Sequence, residues 1–327
     1  VVVGGDPFGR GVVSTASYEA RKYGIHSAMP AAHARRLCPQ AVFLRPRFRQ
    51  YEADSHTIMA ILRQYAERIE PVSLDEAYLD VTENKLGIQD PVAIASLIKQ
   101  NIFAVTRLTA SAGVAPNMFL AKIASDFKKP DGLTVIKPEN VEAFLKDLPV
   151  RKIPGVGPVT EKELARYHLL TCGDLAGAPV SFLLDKFGKT GIMLRERAQG
   201  FDPGEVNPHA EPKQYSVEET FPKDILDVRW LEAKLKEYAD EVFLNLQQSG
   251  RMGKTIVLKV KYFDFESITR SKTLARDPDS SDEICRVACD LLEKKTQAGK
   301  KAVRLLGVGI SGLRMPEEDR PVQPDLF

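Results

Sequence analysis

The sequence predicts an α+β fold made of several domains. Its 327 residues exceed what one hydrophobic core usually organises. Helical and strand-like segments alternate over residues 47–137, which is typical of a sheet with helices packed on it. Residues 214–313 show the order β-α-β-β-α-β, a compact unit in its own right. We therefore expect a multidomain protein of mixed helix and sheet content.

The spacing of apolar residues, the helix-capping residues and the positions of Gly and Pro predict the helices and strands in chain order. Residues 1–46 carry short strands, helices at Ala16–Tyr23 and Pro30–Leu37, and a strand at Ala41–Leu44. Residues 47–137 carry a long helix through Ile69, strands Ala77–Val81, Thr109–Val114 and Leu133–Ile136, and helices Val92–Thr106 and Asn117–Lys128. Residues 138–204 predict short helices broken by Pro and Gly, and residues 205–213 a linker. The last unit predicts helices Val228–Gln248 and Ser281–Thr296 beside strands Thr255–Phe263, Ser267–Leu274 and Val303–Ile310.

Charge is nearly balanced overall, with 46 basic against 44 acidic residues, but it is unevenly distributed. Residues 1–50 hold eight basic and two acidic side chains, which is typical of a polyanion site or of a solvated basic face. The absence of an eighteen-residue apolar run predicts no membrane span. The cysteine spacing favours free thiols in a reducing cytoplasm.

Adjacent carboxylates occur in Ser73-Leu74-Asp75-Glu76, just before the predicted strand Ala77–Val81. Neighbouring side chains diverge on a regular strand, so Asp75 and Glu76 share a metal only if the strand begins irregularly. Carboxylate oxygens suit Mg²⁺, which keeps water or substrate phosphates as its other ligands. Such a pair is more common in a plain surface loop, and this alternative stays open from the pair alone.

Tyr18 and Arg21 are three residues apart and share one face of the predicted first helix. A phenol and a guanidinium so placed can hold a triphosphate, because Arg offers a fork of donors. A packed Tyr beside a solvated Arg explains the same spacing.

Small residues at Ser111–Val114 predict a strand that another backbone approaches closely. The following helix ends near Lys129-Pro130, where the Lys129 ammonium offers a point charge for a phosphate. A basic residue that favours the helix dipole is an adequate alternative.

The run Lys152-Ile153-Pro154-Gly155-Val156-Gly157-Pro158 predicts a tight turn before a helix, with a capping box at Thr160 and Glu163. The N–H groups of Gly155 and Gly157 then face a phosphate at the helix N-terminus. The pattern is similar to a helix-hairpin-helix, which binds a nucleic-acid backbone without regard to sequence.

Strict alternation in Leu258-Lys259-Val260-Lys261-Tyr262 predicts a strand with both lysines on one face. Residues 250–274 carry six basic and two acidic side chains, including Arg270 and Lys272. One strand face lying along a DNA backbone would explain this excess, and edge lysines that block aggregation would explain part of it.

Together these motifs resemble the Y-family translesion DNA polymerases, of the bacterial polymerase IV type, over nearly the whole chain. The matching motifs are S-T-A-S-Y-E-A-R-K-Y-G, S-L-D-E-A-Y-L-D, S-A-G-V-A-P-N, L-A-K-I-A-S-D, K-K-P-D-G and I-P-G-V-G-P. The resemblance implies a right-hand polymerase with fingers (1–46), palm (47–137), helical thumb (138–204), linker (205–213), little finger (214–313) and a clamp-binding tail (314–327). It also implies low-fidelity, distributive DNA synthesis past damaged bases, by nucleotidyl transfer with two Mg²⁺ ions.

The resemblance further assigns roles to individual residues. Asp75 would bridge the metals, and Glu76 would bind the ion that activates the primer hydroxyl. The incoming triphosphate would be held by Thr15, Tyr18, Arg21 and Lys129, and DNA would be contacted by Lys152, Gly155, Gly157, Lys259 and Lys261. Gln323, Leu326 and Phe327 would anchor a sliding clamp. The expected partners are primer–template DNA, deoxynucleoside triphosphates and that clamp, and we expect a monomer.

Two features depart from the family pattern. Met118 stands where Lys is common, which removes one basic contact. The family's opening strand, with another metal-binding Asp and an aromatic residue that excludes ribonucleotides, does not occur from Val1 onward. We therefore expect a chain without its own N-terminus and a fragment that is inactive without that strand. A DNA-binding module without catalysis is the alternative, and a nuclease is a more distant one.

Overall fold

The computed structural model describes residues 1–209 and 211–315 and divides the chain into two compact units. One unit combines Val1–Pro46 with the chain from Glu211 onward, and the other is Arg47–Ala210. None of the helices in the described ranges is long and apolar enough to cross a membrane.

The N-terminal part of the first unit is a three-stranded sheet with two short helices. Its elements are β1 (Val2–Gly4), β2 (Val13–Ala16), α1 (Tyr18–Arg21), α2 (Ala31–Leu37) and β3 (Phe43–Leu44). β1 lies in the centre, antiparallel to β2 and parallel to β3. Val2, Val13 and Ile25 are buried and form the core. The first helix is shorter than predicted, because Ala16 belongs to β2 and Gly24 takes a positive φ that ends the turn.

The second unit begins with helices and strands and ends with helices alone. Its elements are α3 (Phe48–Leu62), β4 (Ala66–Pro71), β5 (Ala77–Asn84), α4 (Pro91–Thr106), β6 (Ala112–Val114), α5 (Met118–Phe127), β7 (Leu133–Val135), α6 (Val141–Lys146), α7 (Pro158–Ala165), α8 (Cys172–Gly177) and α9 (Val180–Ala198). β4 pairs antiparallel with β5, and β6 pairs parallel with β7, so the strands form two separate ladders. As predicted, Gly interrupts the helices, since the backbone of α9 leaves helical geometry at Gly188.

One predicted helix is wrong. The helix expected to run through Ile69 ends at Leu62, and the chain turns into strand β4. The spacing of the apolar residues Ile61, Tyr65 and Ile69 continues the helical period, and this spacing is why the sequence predicts a longer helix. Pairing with β5 satisfies the backbone groups of β4 in a way that a helix running into Pro71 does not.

The second unit has two core clusters, one of which contains helix α5. Phe119, Leu120 and Ile123 of that helix are buried in one cluster with Leu145 and Leu164 from the helices that follow. A second cluster joins α3 and α4 to β4 and β5. Helix α5 contacts the strands β6 and β7 on either side of it in the sequence and shares its core with the later helices. Its position is therefore fixed by both sets of elements.

The C-terminal part of the first unit has the predicted β-α-β-β-α-β order. Its elements are β8 (Gln214–Ile225), α10 (Val228–Ser249), β9 (Thr255–Tyr262), β10 (Ser267–Thr273), α11 (Ser281–Lys295) and β11 (Val303–Ser311). The sheet order is β10-β9-β11-β8, with every neighbouring pair antiparallel. Both helices pack on one face of the sheet around Leu235, Leu258 and Leu292. The opposite face carries the polar side chains of the strands.

Candidate active site

The two adjacent carboxylates lie in the hairpin between β4 and β5. The ladder ends at the pair Pro71–Ala77, and the N–H groups of Val72 and Ser73 both donate to the Glu76 carbonyl, at 2.8 and 3.2 Å. These bonds close a short loop, and Asp75 and Glu76 precede the first residue of β5 instead of lying on the regular strand. Strand geometry therefore does not force their side chains to opposite faces.

Each carboxylate has its own partner in this hairpin. The Ser73 hydroxyl donates to Asp75 Oδ1 at 2.6 Å, and it accepts from the Asp75 N–H at 3.3 Å. The Lys122 ammonium lies 2.5 Å from Glu76 Oε1. Ser73 and Lys122 are not among the predicted site residues. The two-residue spacing of Ser73 and Asp75 is a local signal for the first contact, whereas the second joins residues 46 positions apart.

The surroundings of Glu76 are partly buried and anionic. Burial raises the pKa of the neighbouring Tyr78, and the negative charges of Glu76, Asp202 and Glu70 raise it further. Over residues 1–209 and 211–315, no group of three or more His, Cys, Asp or Glu side chains is placed to hold a metal ion.

Lys129 lies just beyond the C-terminal end of α5. The Asn117 side chain caps the start of this helix by accepting from the Leu120 N–H at 3.0 Å. A side chain at Gly113 would meet the Ala121 carbonyl at 2.1 Å, so the predicted close approach to this strand is confirmed. Lys129 pairs with Asp126 at 2.6 Å. Helix α5 thus contains Lys122, which pairs with Glu76, and Lys129 follows two residues after the helix ends.

The predicted triphosphate residues Thr15, Tyr18 and Arg21 lie in the other unit. Thr15 is exposed on β2, and Tyr18 and Arg21 lie on α1, where the guanidinium carbon is 5.5 Å from the centre of the phenol ring. Arg21 Nε donates to the Ala16 carbonyl at 2.9 Å, which orients the guanidinium plane. The shared helix face expected for Tyr18 and Arg21 is confirmed.

The turn that begins after Lys152 has the backbone of a hairpin that precedes a helix. Gly155 has a φ of +94°, a conformation that other residues rarely adopt, and Gly157 is the N-cap of α7. The Arg197 guanidinium donates to the Pro154 carbonyl at 3.1 Å and so ties the turn to α9. Open space adjoins both glycines, since a Cβ at either one would meet nothing within 4 Å.

The predicted capping box at Thr160 and Glu163 is wrong. Helix α7 begins at Pro158, so Thr160 lies inside it, and Glu163 pairs with Arg166 at 2.6 Å. The capping box of this region is formed by Thr171 and Asp174 at the start of α8. The Pro at the first helical position explains the difference, because its fixed φ suits that position.

Lys259 and Lys261 share the open face of the C-terminal sheet, as their alternation predicted. Lys259 Nζ donates to both carboxylate oxygens of Glu218 on β8, at 3.0 and 2.7 Å. Arg270 and Lys272 do not belong to this face, because both pair with core-facing residues of β9. One strand face therefore does not account for the whole basic excess of residues 250–274. Arg270 instead donates to the Lys295 carbonyl at the end of α11.

The segment that follows α9 is bound to the second unit rather than loose. Arg68 on β4 donates to Asp80 at 3.2 Å, to Glu205 at 3.1 Å and to the Val206 carbonyl at 3.2 Å. Hydrogen bonds from Thr82 lower the pKa of Asp80, and the Arg68 charge adds to them. The Asn207 N–H donates to Glu70 at 2.8 Å. Residues 205–207 therefore lie along β4.

Three comparisons with known proteins bear on this arrangement. Models of the impB/mucB/samB family, of its C-terminal domain and of the HHH motif of the IMS family match residues 1–126, 212–326 and 138–169. The chain is 48% identical over 327 residues to DNA polymerase IV of Alkalilimnicola ehrlichii, with 100% of this chain and 92% of the relative covered. It is 46% identical over 319 residues to DNA polymerase IV of Xanthomonas campestris pv. campestris, with 97% and 88% covered.

The chain belongs to the DNA polymerase IV family. Among solved structures it is similar to a Y-family DNA polymerase chimera of Dbh and Dpo4, with a TM-score of 0.86, 31% identity and 97% of this chain and 92% of the other covered. It is also similar to the insertion ternary complex of Dbh DNA polymerase, with a TM-score of 0.66, 31% identity and 96% and 92% covered.

Family membership confirms the predicted fold class and the predicted enzyme class. The fold is that of a right-hand Y-family polymerase with a helix-hairpin-helix in its helical part, and the enzyme class is DNA-directed DNA polymerase. Dependence on a divalent metal ion follows from the family. The predicted clamp anchors Gln323, Leu326 and Phe327 lie outside the described residues.

Proposed function

We propose that this chain belongs to an enzyme that copies primer–template DNA past damaged bases, with low fidelity and in a distributive manner. The observation that carries the proposal is the hairpin that presents Asp75 and Glu76 together, with Ser73 and Lys122 holding the two carboxylates. The chain is similar to the insertion ternary complex of Dbh DNA polymerase, and this similarity supports primer–template DNA and deoxynucleoside triphosphates as substrates. The domain boundaries stated above remain a prediction.

The donor chemistry of the hairpin fits Mg²⁺. Asp75 and Glu76 offer hard carboxylate oxygens, and two protein carboxylates are a usual share for an ion whose other ligands are water and substrate phosphate. We assign both residues as ligands of two Mg²⁺ ions. When bound, these ions would activate the primer hydroxyl and stabilise the charge on the triphosphate.

The remaining site residues would bind and orient the substrates. Arg21, whose plane is set by its bond to Ala16, offers N–H donors in a fork that suits phosphate oxygens. Tyr18 offers a hydroxyl group beside it, Thr15 offers another on β2, and Lys129 adds a point charge. The hairpin turn at Gly155 and Gly157 leaves open space for a phosphodiester backbone. Lys152 and Lys261 add charge for non-specific DNA contact.

Primer extension by the full-length gene product tests this proposal. On undamaged templates and on templates with an abasic-site analogue, Glu76→Gln is expected to reduce extension at least a hundredfold. The amide is a weaker ligand for the divalent ion that would stabilise the developing charge, and losing one stabilising contact of that kind costs on the order of 10²–10³. Anisotropy with the same primer–template should show unchanged DNA affinity.

Glu83→Gln is the matched control, since Glu83 is an exposed carboxylate on β5, the strand that follows the hairpin. It should extend primers like the parent. Extension by the Glu76→Gln variant within about tenfold of the parent would overturn the assignment, and the DNA-binding module without catalysis would then be the better account.

We also propose a clamp contact through the tail and a cytoplasmic location. Support for the contact comes from the sequence alone: Gln323, Leu326 and Phe327 close a polar, Pro-containing segment. Each of the four cysteines is a free thiol, which is in keeping with a reducing compartment. Calorimetry with a peptide of residues 314–327 and the sliding clamp tests the contact, and absence of binding would refute it.

A further inference from the structure

The Lys122–Glu76 ion pair lies at the assigned metal ligand, and the function proposed so far does not say how it affects metal binding. Its two atoms are 2.5 Å apart, and the side chains are 30% and 39% exposed, so both are partly withdrawn from solvent. Lys122 carries three donor hydrogens, and Glu76 is the acceptor that the described part of the chain gives it. The ammonium thus neutralises one of the two carboxylates in the substrate-free protein.

Lys122 reaches Glu76 from a rigid element. It lies at the centre of α5, whose start is capped by Asn117 and whose backbone is in close contact with Gly113. Its neighbours Leu120 and Ile123 are buried in the core. A surface pair formed by two mobile side chains contributes little, but here the position of the ammonium is determined by the packing of the helix.

The pair must change when a divalent ion binds. The lone pair with which Glu76 Oε1 accepts a hydrogen bond from the ammonium is not free to coordinate a metal ion, and an ammonium in contact with a ligand oxygen repels a dication close to it. Within residues 1–209 and 211–315, Asp75 has no such competitor, since its partner Ser73 is a neutral hydroxyl. The two carboxylates are therefore unequal in the substrate-free protein.

We propose that Lys122 is a positioning residue that holds Glu76 in place and competes with the divalent ion for it. The proposal rests on the assignment of Glu76 as a metal ligand. Its consequence is weak metal binding in the absence of nucleotide. The dication then binds firmly only when a triphosphate adds its own negative charge to the site.

Titration of the full-length gene product with Mn²⁺, followed by electron paramagnetic resonance without DNA or nucleotide, tests the proposal. Lys122→Met is expected to bind Mn²⁺ about tenfold more tightly than the parent, because a like charge beside the ligand is removed. Lys122→Arg keeps the charge and should stay within about threefold of the parent. Thermal unfolding of each variant accompanies the titration, and Lys122→Gln replaces Lys122→Met if the latter does not fold.

Lys99→Met is the matched control. Lys99 belongs to the same unit and pairs with Asp131 at 2.8 Å, so the variant loses one charge and one ion pair away from Glu76. Its Mn²⁺ affinity should equal that of the parent. Unchanged or weaker binding by Lys122→Met would overturn the proposal. Failure of the underlying assignment is distinguishable, because Glu76→Gln would then leave both Mn²⁺ binding and primer extension unchanged.

Discussion

Arg10 and Asp224 form a bidentate ion pair across 214 positions of the sequence. Two guanidinium N–H groups donate to the two carboxylate oxygens at 2.7 and 2.9 Å, and a third bond from Arg10 reaches the Phe221 carbonyl at 3.0 Å. Both residues lie in the first unit, so the pair joins the loop after β1 to β8. Side-chain exposures of 23% and 27% leave it partly shielded from water.

We predict that Asp224→Asn lowers the stability of the first unit at neutral pH. A shielded, bidentate pair contributes about 1 kcal/mol, which corresponds to a fall of about 2–4 °C in Tm for a unit of this size. Asp240→Asn is the control, because its partner Lys236 is one turn away on the same helix and both are exposed. A loss no greater than that of the control would contradict the prediction.

The same pair predicts a pH dependence. The bond from Arg10 lowers the pKa of Asp224, so the carboxylate is charged more readily in the folded than in the unfolded chain. Its contribution is therefore complete above the usual Asp range and is lost as the pH falls through the lowered value. The difference in Tm between the parent and Asp224→Asn should disappear in acid.

The contact between Lys259 and Glu218 predicts unequal roles for the two strand lysines. Lys259 reaches Glu218 past Gly307, which pairs with both residues and has no side chain between them. Duplex affinity measured by anisotropy should fall steeply with salt, because phosphate contacts release counterions. Lys261→Ala should make the slope shallower by about one unit, and Lys259→Ala by less, since Glu218 offsets its charge. Equal slopes for the two variants would show that the ion pair opens on DNA.

Gly155 and Gly157 allow a prediction that separates folding from binding. Gly155→Ala should cost about 1–2 kcal/mol of stability because of its positive φ. Gly157 has a φ of −89° and room for a Cβ, so Gly157→Ala should fold normally. If a phosphate approaches this backbone, the alanine should still weaken DNA binding by about fivefold or more, a loss of ~1 kcal/mol. Gly177→Ala, another open position, is the control. Unchanged affinity of Gly157→Ala would argue for a plain turn.

How far the sequence predicts the fold depends on the range of the interactions. The orientation of β9 follows from a period of two, which Leu258, Lys259 and Val260 display without outside help. The end of α3 cannot be predicted in this way, because Tyr65 and Ile69 keep the helical spacing. Only the pairing of β4 with β5 shows that this segment is a strand. Local patterns thus identified most elements, and tertiary pairing corrected one.

The site residues likewise divide into those that a local motif predicts and those that only tertiary packing brings together. Asp75, Glu76 and the two glycines stand in short motifs whose chemistry is evident from the residues. The residues that orient this site are not part of these motifs. Lys122 contacts Glu76, and Arg197 contacts Pro154, only because α5 and α9 pack where they do. Such contacts are set by the core, and a single sequence carries no spacing signal for them.

The last prediction concerns Tyr18 and Arg21. In single-nucleotide incorporation by the full-length gene product, Arg21→Ala should raise the KM for the triphosphate about 10- to 100-fold, since a charged hydrogen bond contributes about 1.5–3 kcal/mol. Arg21→Lys should not restore the KM, because lysine lacks the Nε that donates to the Ala16 carbonyl and the planar fork that this bond orients. Tyr18→Phe removes one hydroxyl and should have a smaller effect. Arg36→Ala is the control for net charge, as Arg36 is exposed on α2. An equal rise in KM for Arg36→Ala would show that general charge, rather than the guanidinium held beside Tyr18, attracts the triphosphate.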